Sequence, residues 1–209
     1  MKTRKIQLLL IGLAFVACGE RSGQAGADDP ATAQLAAAPV SEEEAVAIGD
    51  SAAAALTMTL MGQMRAKVEE SGPAEAVEFC SEEALPLTAQ VEDGVGRGIS
   101  VKRTSNRVRN PANAPDSLEL LALAYFEAEK EKGQGMPGHY LQRTEDGWRY
   151  YKPISVAPLC TRCHGPVESI DPEVRTVLRE RYPEDRATGY TEGDFRGVVR
   201  VSIPALQVR

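Results

Sequence analysis

Histidine is scarce in this sequence, with two in 209 residues, and tryptophan occurs once. Any imidazole chemistry therefore rests on His139 or His164. The four cysteines are too unevenly spread for a disulfide framework: Cys18 ends an apolar leader, Cys160 and Cys163 form a close pair, and Cys80 stands alone. No internal repeat is visible, which excludes a stacked-repeat architecture. Basic charge is not in surplus, since 24 Lys and Arg face 30 Asp and Glu. That balance argues against nucleic acid, and against anionic lipid headgroups bound by charge, as partners. The uncharged run over 6–17 is too short to span a membrane comfortably.

What is present at the N-terminus reads as an export signal. Lys2, Arg4 and Lys5 form a basic n-region ahead of that apolar run. Small residues precede Cys18, while Phe15 spoils an ordinary small-x-small cleavage site. The arrangement resembles a bacterial lipoprotein signal, with 1–17 removed and Cys18 lipidated. Gly19, rather than Asp, after the cysteine points by the same resemblance to the outer membrane. Ordinary cleavage after Ala25-Gly26-Ala27 is the competing expectation and would leave a soluble periplasmic protein. Without 1–17 the chain keeps 21 basic against 30 acidic residues, a net charge of −9. Residues 18–40 contain almost no large apolar side chain and are expected to form a flexible tether. Residues 41–209 are expected to form one domain.

Within that domain Ser41 and Glu44 make a capping box that opens a long helix to about Glu70, closed by Gly72-Pro73. Leu56, Leu60 and Met64 form one stripe of it, and Ile48, Ala52 and Ala55 another. Pro73 opens a second helix to about Val91, with Val77, Cys80, Ala84 and Leu87 on its apolar face. Residues 99–104 alternate as a strand, and a turn-rich loop follows. Asp116 and Glu119 cap a third helix to about Lys132, whose core stripe is expected to be Leu120, Leu121, Ala124 and Tyr125. Strands over 139–145 and 148–154 flank Asp146-Gly147, a pair suited to a tight primed turn. A short helix over 172–181 and a last strand over 195–203 complete an α+β pattern, with helices around one small antiparallel sheet.

Cys160-Thr161-Arg162-Cys163-His164 is the motif that carries chemistry. Two thiols at this spacing add across the vinyl groups of one porphyrin edge, and the adjacent imidazole reaches the iron. The implied cofactor is one covalently bound haem c. A dithiol redox pair lacks its usual βαβ surroundings, and a zinc site using Cys80, Cys160, Cys163 and a histidine has zinc-like spacing on one side only. The second axial ligand is open on spacing alone. Cys80, His139, Met136 and the methionines Met58, Met61 and Met64 are the candidates, beside no protein ligand at all.

Several further segments occur in a telling order. They are Ala76-Val77-Glu78-Phe79-Cys80, Arg103-Thr104-Ser105, Arg109-Asn110-Pro111-Ala112-Asn113-Ala114-Pro115, and Gly189-Tyr190 followed by Gly193-Asp194-Phe195-Arg196-Gly197. Together with the haem motif, over about 41–203, they resemble the single-haem c-type domains with a PAS-like fold. That family is known as soluble haem proteins of cyanobacteria and as extracytoplasmic sensor domains. The resemblance implies His164 and Cys80 as the two axial ligands, and Arg103 and Arg109 as contacts of the haem propionates.

A thiolate ligand stabilises ferric over ferrous iron, so a low potential is expected. Thiolate is also readily lost on reduction or protonation. The expected function is therefore a redox or small-gas sensor, taking a diatomic ligand and passing its state to an unidentified signalling or redox protein. An electron-transfer cytochrome serving a membrane oxidoreductase is the alternative. An enzyme, such as a peroxidase, is not expected.

Overall fold

The computed structural model describes residues 38–133 and 135–207. The expected signal peptide, the lipidation residue Cys18 and most of the tether lie outside the described residues. The domain begins a little earlier than the sequence suggested. Ala38–Pro39 (β1) pairs antiparallel with Leu206–Gln207 (β6), and Val40 is buried. Its carbonyl accepts the Trp148 indole N–H at 3.0 Å, which ties the start of the fold to the hairpin.

Helix α1 (Glu42–Ser71) opens on the Ser41/Glu44 capping box and ends at Gly72, whose φ of 90° lets the chain turn directly into Pro73. By length and composition α1 is apolar enough to cross a membrane, yet it packs on α2 and the sheet. Ala45, Gly49, Ala52, Ala53 and Leu56 form its buried face. Small residues there allow close approach. A Cβ on Gly49 would stand 2.1 Å from the ring of Tyr150, a fully buried side chain.

Helix α2 (Pro73–Val95) runs past the expected end near Val91. Asp93-Gly94 lies in its last turns, and the chain leaves the helix at Gly96, with φ 63°. Pro86 is accommodated inside it. Strand β2 (Ser100–Thr104) then joins β3 (Tyr140–Thr144), β4 (Gly147–Ser155) and β5 (Phe195–Pro204) in a four-stranded antiparallel sheet of order β2-β5-β4-β3. The fold is thus α+β, with helices around one small antiparallel sheet.

Two local expectations are corrected. In α3 (Ser117–Glu131) the capping box of Asp116 and Glu119 is present, but the buried face is Glu119, Ala122, Leu123 and Phe126, while Leu120 and Leu121 are exposed. The segment is apolar all round, so spacing alone does not fix which stripe turns inward. In the hairpin Thr144 pairs with Gly147, making Glu145-Asp146 the two loop residues. Neither has positive φ. Gly147 is instead needed where it packs on β5, since a Cβ there would stand 2.1 Å from the Ile203 carbonyl oxygen.

The Cys160–His164 motif follows β4 as a 3-10 turn (Pro158–Cys160) leading into a single helical turn, α4 (Thr161–His164). Helix α5 (Pro172–Arg181) matches its expected span and packs against α2.

Candidate functional site

One cavity of about 260 Å³ gathers most of the residues singled out by sequence. Helix α2 lines it with Val77, Cys80, Ala84 and Leu87, the apolar face expected for that helix. Helix α1 adds Leu60, Met61 and Met64; Arg103 comes from β2, Arg109 from the following loop, and Cys160, Cys163 and His164 from the motif. Other candidate ligands lie elsewhere. His139 is exposed and stacks on Tyr150, ring centres 5.4 Å apart; Met136 packs on the core cluster around α3; Met58 is 69% exposed. None of these three lines the cavity.

The motif is held from several sides. Cys163 packs on a cluster of Val77, Ile170, Val174 and Leu178, whereas Cys160 packs on Val156, Ala187 and Tyr190. Gly165 closes the turn, and a Cβ there would meet the Thr161 carbonyl oxygen at 2.5 Å. The loop after α5 is laced to the motif through the Gly189 N–H to the Gly165 carbonyl (2.6 Å) and the Tyr190 N–H to the His164 carbonyl (2.9 Å). His164 Nδ1 lies 2.6 Å from the Ala187 carbonyl oxygen. A carbonyl can only accept, so Nδ1 carries the proton and Nε2 keeps its lone pair. Burial, and then the charges of Arg109 and Arg196, push the imidazole pKa well below its usual value. A neutral ring with a free Nε2 is the form that binds metal.

Arg109 is the hub of this lacing. Its Nε donates to Asp185 Oδ2 at 3.0 Å and its Nη2 to the Cys163 carbonyl at 2.5 Å. Asp185 in turn accepts the Ala187 N–H at 2.8 Å. The segment Asn110-Pro111-Ala112-Asn113 is fixed by the Asn110 side chain accepting from the Ala112 N–H, and by Thr104 Oγ1 donating to the Asn113 carbonyl at 2.8 Å. Gly197 (φ 148°) brings β5 against the end of β2, where a Cβ would lie 2.2 Å from the Thr104 carbonyl oxygen. Gly189 (φ 76°) admits Arg107 beside Tyr190, whose ring lies under both Arg107 (4.1 Å) and Arg196 (5.3 Å).

Cys80 and Cys163 are held toward the thiol form by burial. Burial pushes Cys163 up to about 11 and raises Cys80, the latter opposed by the charges of Arg103 and Arg109. None of the three cysteines of the site is in a disulfide. Among the described residues no group of three His, Cys, Asp or Glu side chains converges to hold a metal ion. The donor set suits a haem: two thiols at the required spacing, a neutral imidazole, a further thiol on a second wall, an apolar lining and guanidinium groups. Residues that sequence reasoning missed include Arg196, Tyr182 and Asp185. Arg196 stands inside a motif already noted, Gly-Asp-Phe-Arg-Gly; the others carry no local sequence signal.

Comparison with known proteins bears on this site. A sequence model described as Tll0287-like matches residues 39–204. The crystal structure of the cyanobacterial haem protein Tll0287 aligns with a TM-score of 0.59 at 26% identity, covering 80% of this chain and 99% of that one. No curated protein matches.

Proposed function

The chain belongs to the Tll0287-like family, and on that premise we propose that it is a haem protein of c type, with a PAS-like fold, acting as a redox or small-gas sensor. One observation carries the reading: Cys80, Cys160, Cys163 and His164 line one apolar cavity, while His139 does not. Cys160 and Cys163 would form the thioethers, and His164 Nε2 and the Cys80 sulfur would be the axial ligands. Arg103 would serve a propionate. The bound haem would supply one-electron chemistry and, with Cys80 released, a position for a diatomic gas.

The residues explain how such a state change would leave the site. Cys80 is carried by α2, which also packs on α1, α4 and α5. Its sulfur would have to lose a proton to ligate iron, against the burial that raises its pKa. His164, oriented by the Ala187 carbonyl, would be the ligand that is kept. Release of one ligand and retention of the other would alter what holds α2 to the cavity, a change a partner protein can read. Export, the periplasmic location and a lipid anchor at Cys18 belong to the same proposal, as does the absence of enzymatic turnover.

An electron-transfer role is the second reading. Leu85 favours it, because it lines the cavity and is 42% exposed, an apolar edge that a transient redox partner can touch. Absorption spectra of the purified protein in both oxidation states, with and without carbon monoxide, separate the two. The sensor reading expects thiolate features when oxidised and carbon monoxide binding when reduced. An unchanged ligand set on reduction with no carbon monoxide adduct would favour the carrier, and steady peroxide turnover above free haem would overturn the non-enzymatic reading.

A further inference from the structure

Three guanidinium groups, from Arg103, Arg109 and Arg196, face the same cavity. Among the described residues one carboxylate, Asp185, forms an ion pair with any of them, and it pairs with Arg109. The three are not equivalent. Arg109 is occupied by protein, donating to Asp185, to the Cys163 carbonyl and at 3.4 Å to the Ala187 carbonyl. Among the described residues Arg196 makes one hydrogen bond, from Nη1 to the Arg107 carbonyl at 3.2 Å, and otherwise rests over Tyr190. A guanidinium has five donors in a planar fork matched to a carboxylate, so most of the Arg196 fork is unanswered.

We propose that Arg196 is a carboxylate-binding residue of the cavity, taking a haem propionate in its open fork, and that Arg109 is a positioning residue that fixes the motif loop. The assignment rests on the haem reading above. Arg109 links the Cys163 carbonyl, the Ala187 carbonyl that orients His164, and Asp185 into one frame, so its role needs no exogenous group. Arg196 has the opposite profile. It is partly buried beside two other cations, and burial, with repulsion from Arg109 and Arg103, depresses its pKa. An anion in the fork removes that penalty.

The test uses the full-length haem-loaded protein and its Arg196→Gln, Arg196→Lys and Arg109→Gln variants. A haem-stained denaturing gel establishes attachment first; a wild type without covalent haem would sink the underlying reading, independently of the roles of the arginines. In haem-loaded protein, Arg196→Gln is expected to lower the midpoint potential, to raise the pH at which a propionate titrates in the potential–pH profile, and to shift the propionate bending mode in the resonance Raman spectrum. The ferric electron-paramagnetic signature should stay that of wild type, and Arg196→Lys should restore part of the potential. Arg109→Gln is expected instead to disturb the axial-ligand signature or haem attachment.

A wild-type potential–pH profile and Raman mode in Arg196→Gln would overturn the proposal. Should that variant fail to fold, Arg196→Lys decides through the same Raman mode, unchanged being the contrary result. A free carboxylate could also fill the fork. Titrating wild type with acetate should leave its potential unmoved; a potential that tracks acetate in wild type but not in Arg196→Gln would give the fork to a free anion and contradict the propionate assignment.

Discussion

Glu119 shows how much of a side chain's role lies beyond its local sequence. The capping pattern identifies it correctly, since its carboxylate accepts the Asp116 N–H at 2.9 Å. Yet it is also fully buried, held by Lys102 at 2.7 Å and Arg200 at 3.2 Å. Those two partners come from β2 and β5, so no spacing along the chain could bring them together on paper. Glu119→Ala should cost about 3 kcal/mol in chemical denaturation, because it strands two cations at a buried position. Glu119→Gln, which keeps the shape and an acceptor oxygen, should cost less. The site residues divide the same way. Cys160, Cys163 and His164 stand out in the sequence because they are nearly contiguous, whereas Asp185 and the Ala187 carbonyl reach them only through the returning loop.

Among the elements, those defined by local rules were legible: both capping boxes, the Gly72-Pro73 junction, α5, and the four strands of the main sheet, but not the short β1–β6 pair. The buried face of α3 was not, because α3 offers apolar residues in every direction and its inward stripe is chosen by the sheet. The close approach of α1 to β4 was equally hidden. Gly49→Ala places a methyl group inside the Tyr150 ring, and should destabilise the domain by about 2 kcal/mol or more, read as a lower denaturation midpoint. The turn before β5 carries a pH dependence. Asp194 is pulled down to about 2 by Lys130 and by the Thr191 N–H and hydroxyl. Its folded pKa lies below the unfolded value, so its contribution is complete above about pH 4 and is lost as pH falls toward 2. Solvent screening of this partly exposed pair holds it to about 1 kcal/mol. Asp194→Asn should therefore lower stability at pH 7 by about that amount and flatten the acid limb between those values, as followed by denaturant titrations across pH.

At the scale of the whole molecule, the sheet supplies a floor and the helices supply walls, but the cavity's chemistry comes from four separated stretches of chain. These are the face of α2, the end of β2 with its following loop, the haem motif, and the start of β5. The motifs that resembled a known family prove to be the joints of this arrangement: glycines where strands and loops touch, an arginine frame behind the motif, and a lone cysteine facing the same cavity as the histidine. Residue spacing places Cys80 on an apolar helix face and only the family resemblance pairs it with His164; that the two line one cavity is a property of the fold. The sensor reading stands or falls on it. The decisive measurement is the ferric electron-paramagnetic spectrum of Cys80→Ser beside that of wild type, with covalent haem verified in both. A low-spin thiolate signature present in wild type and lost in Cys80→Ser, haem still attached, is the predicted result; an identical spectrum in the two proteins would contradict His/Cys ligation.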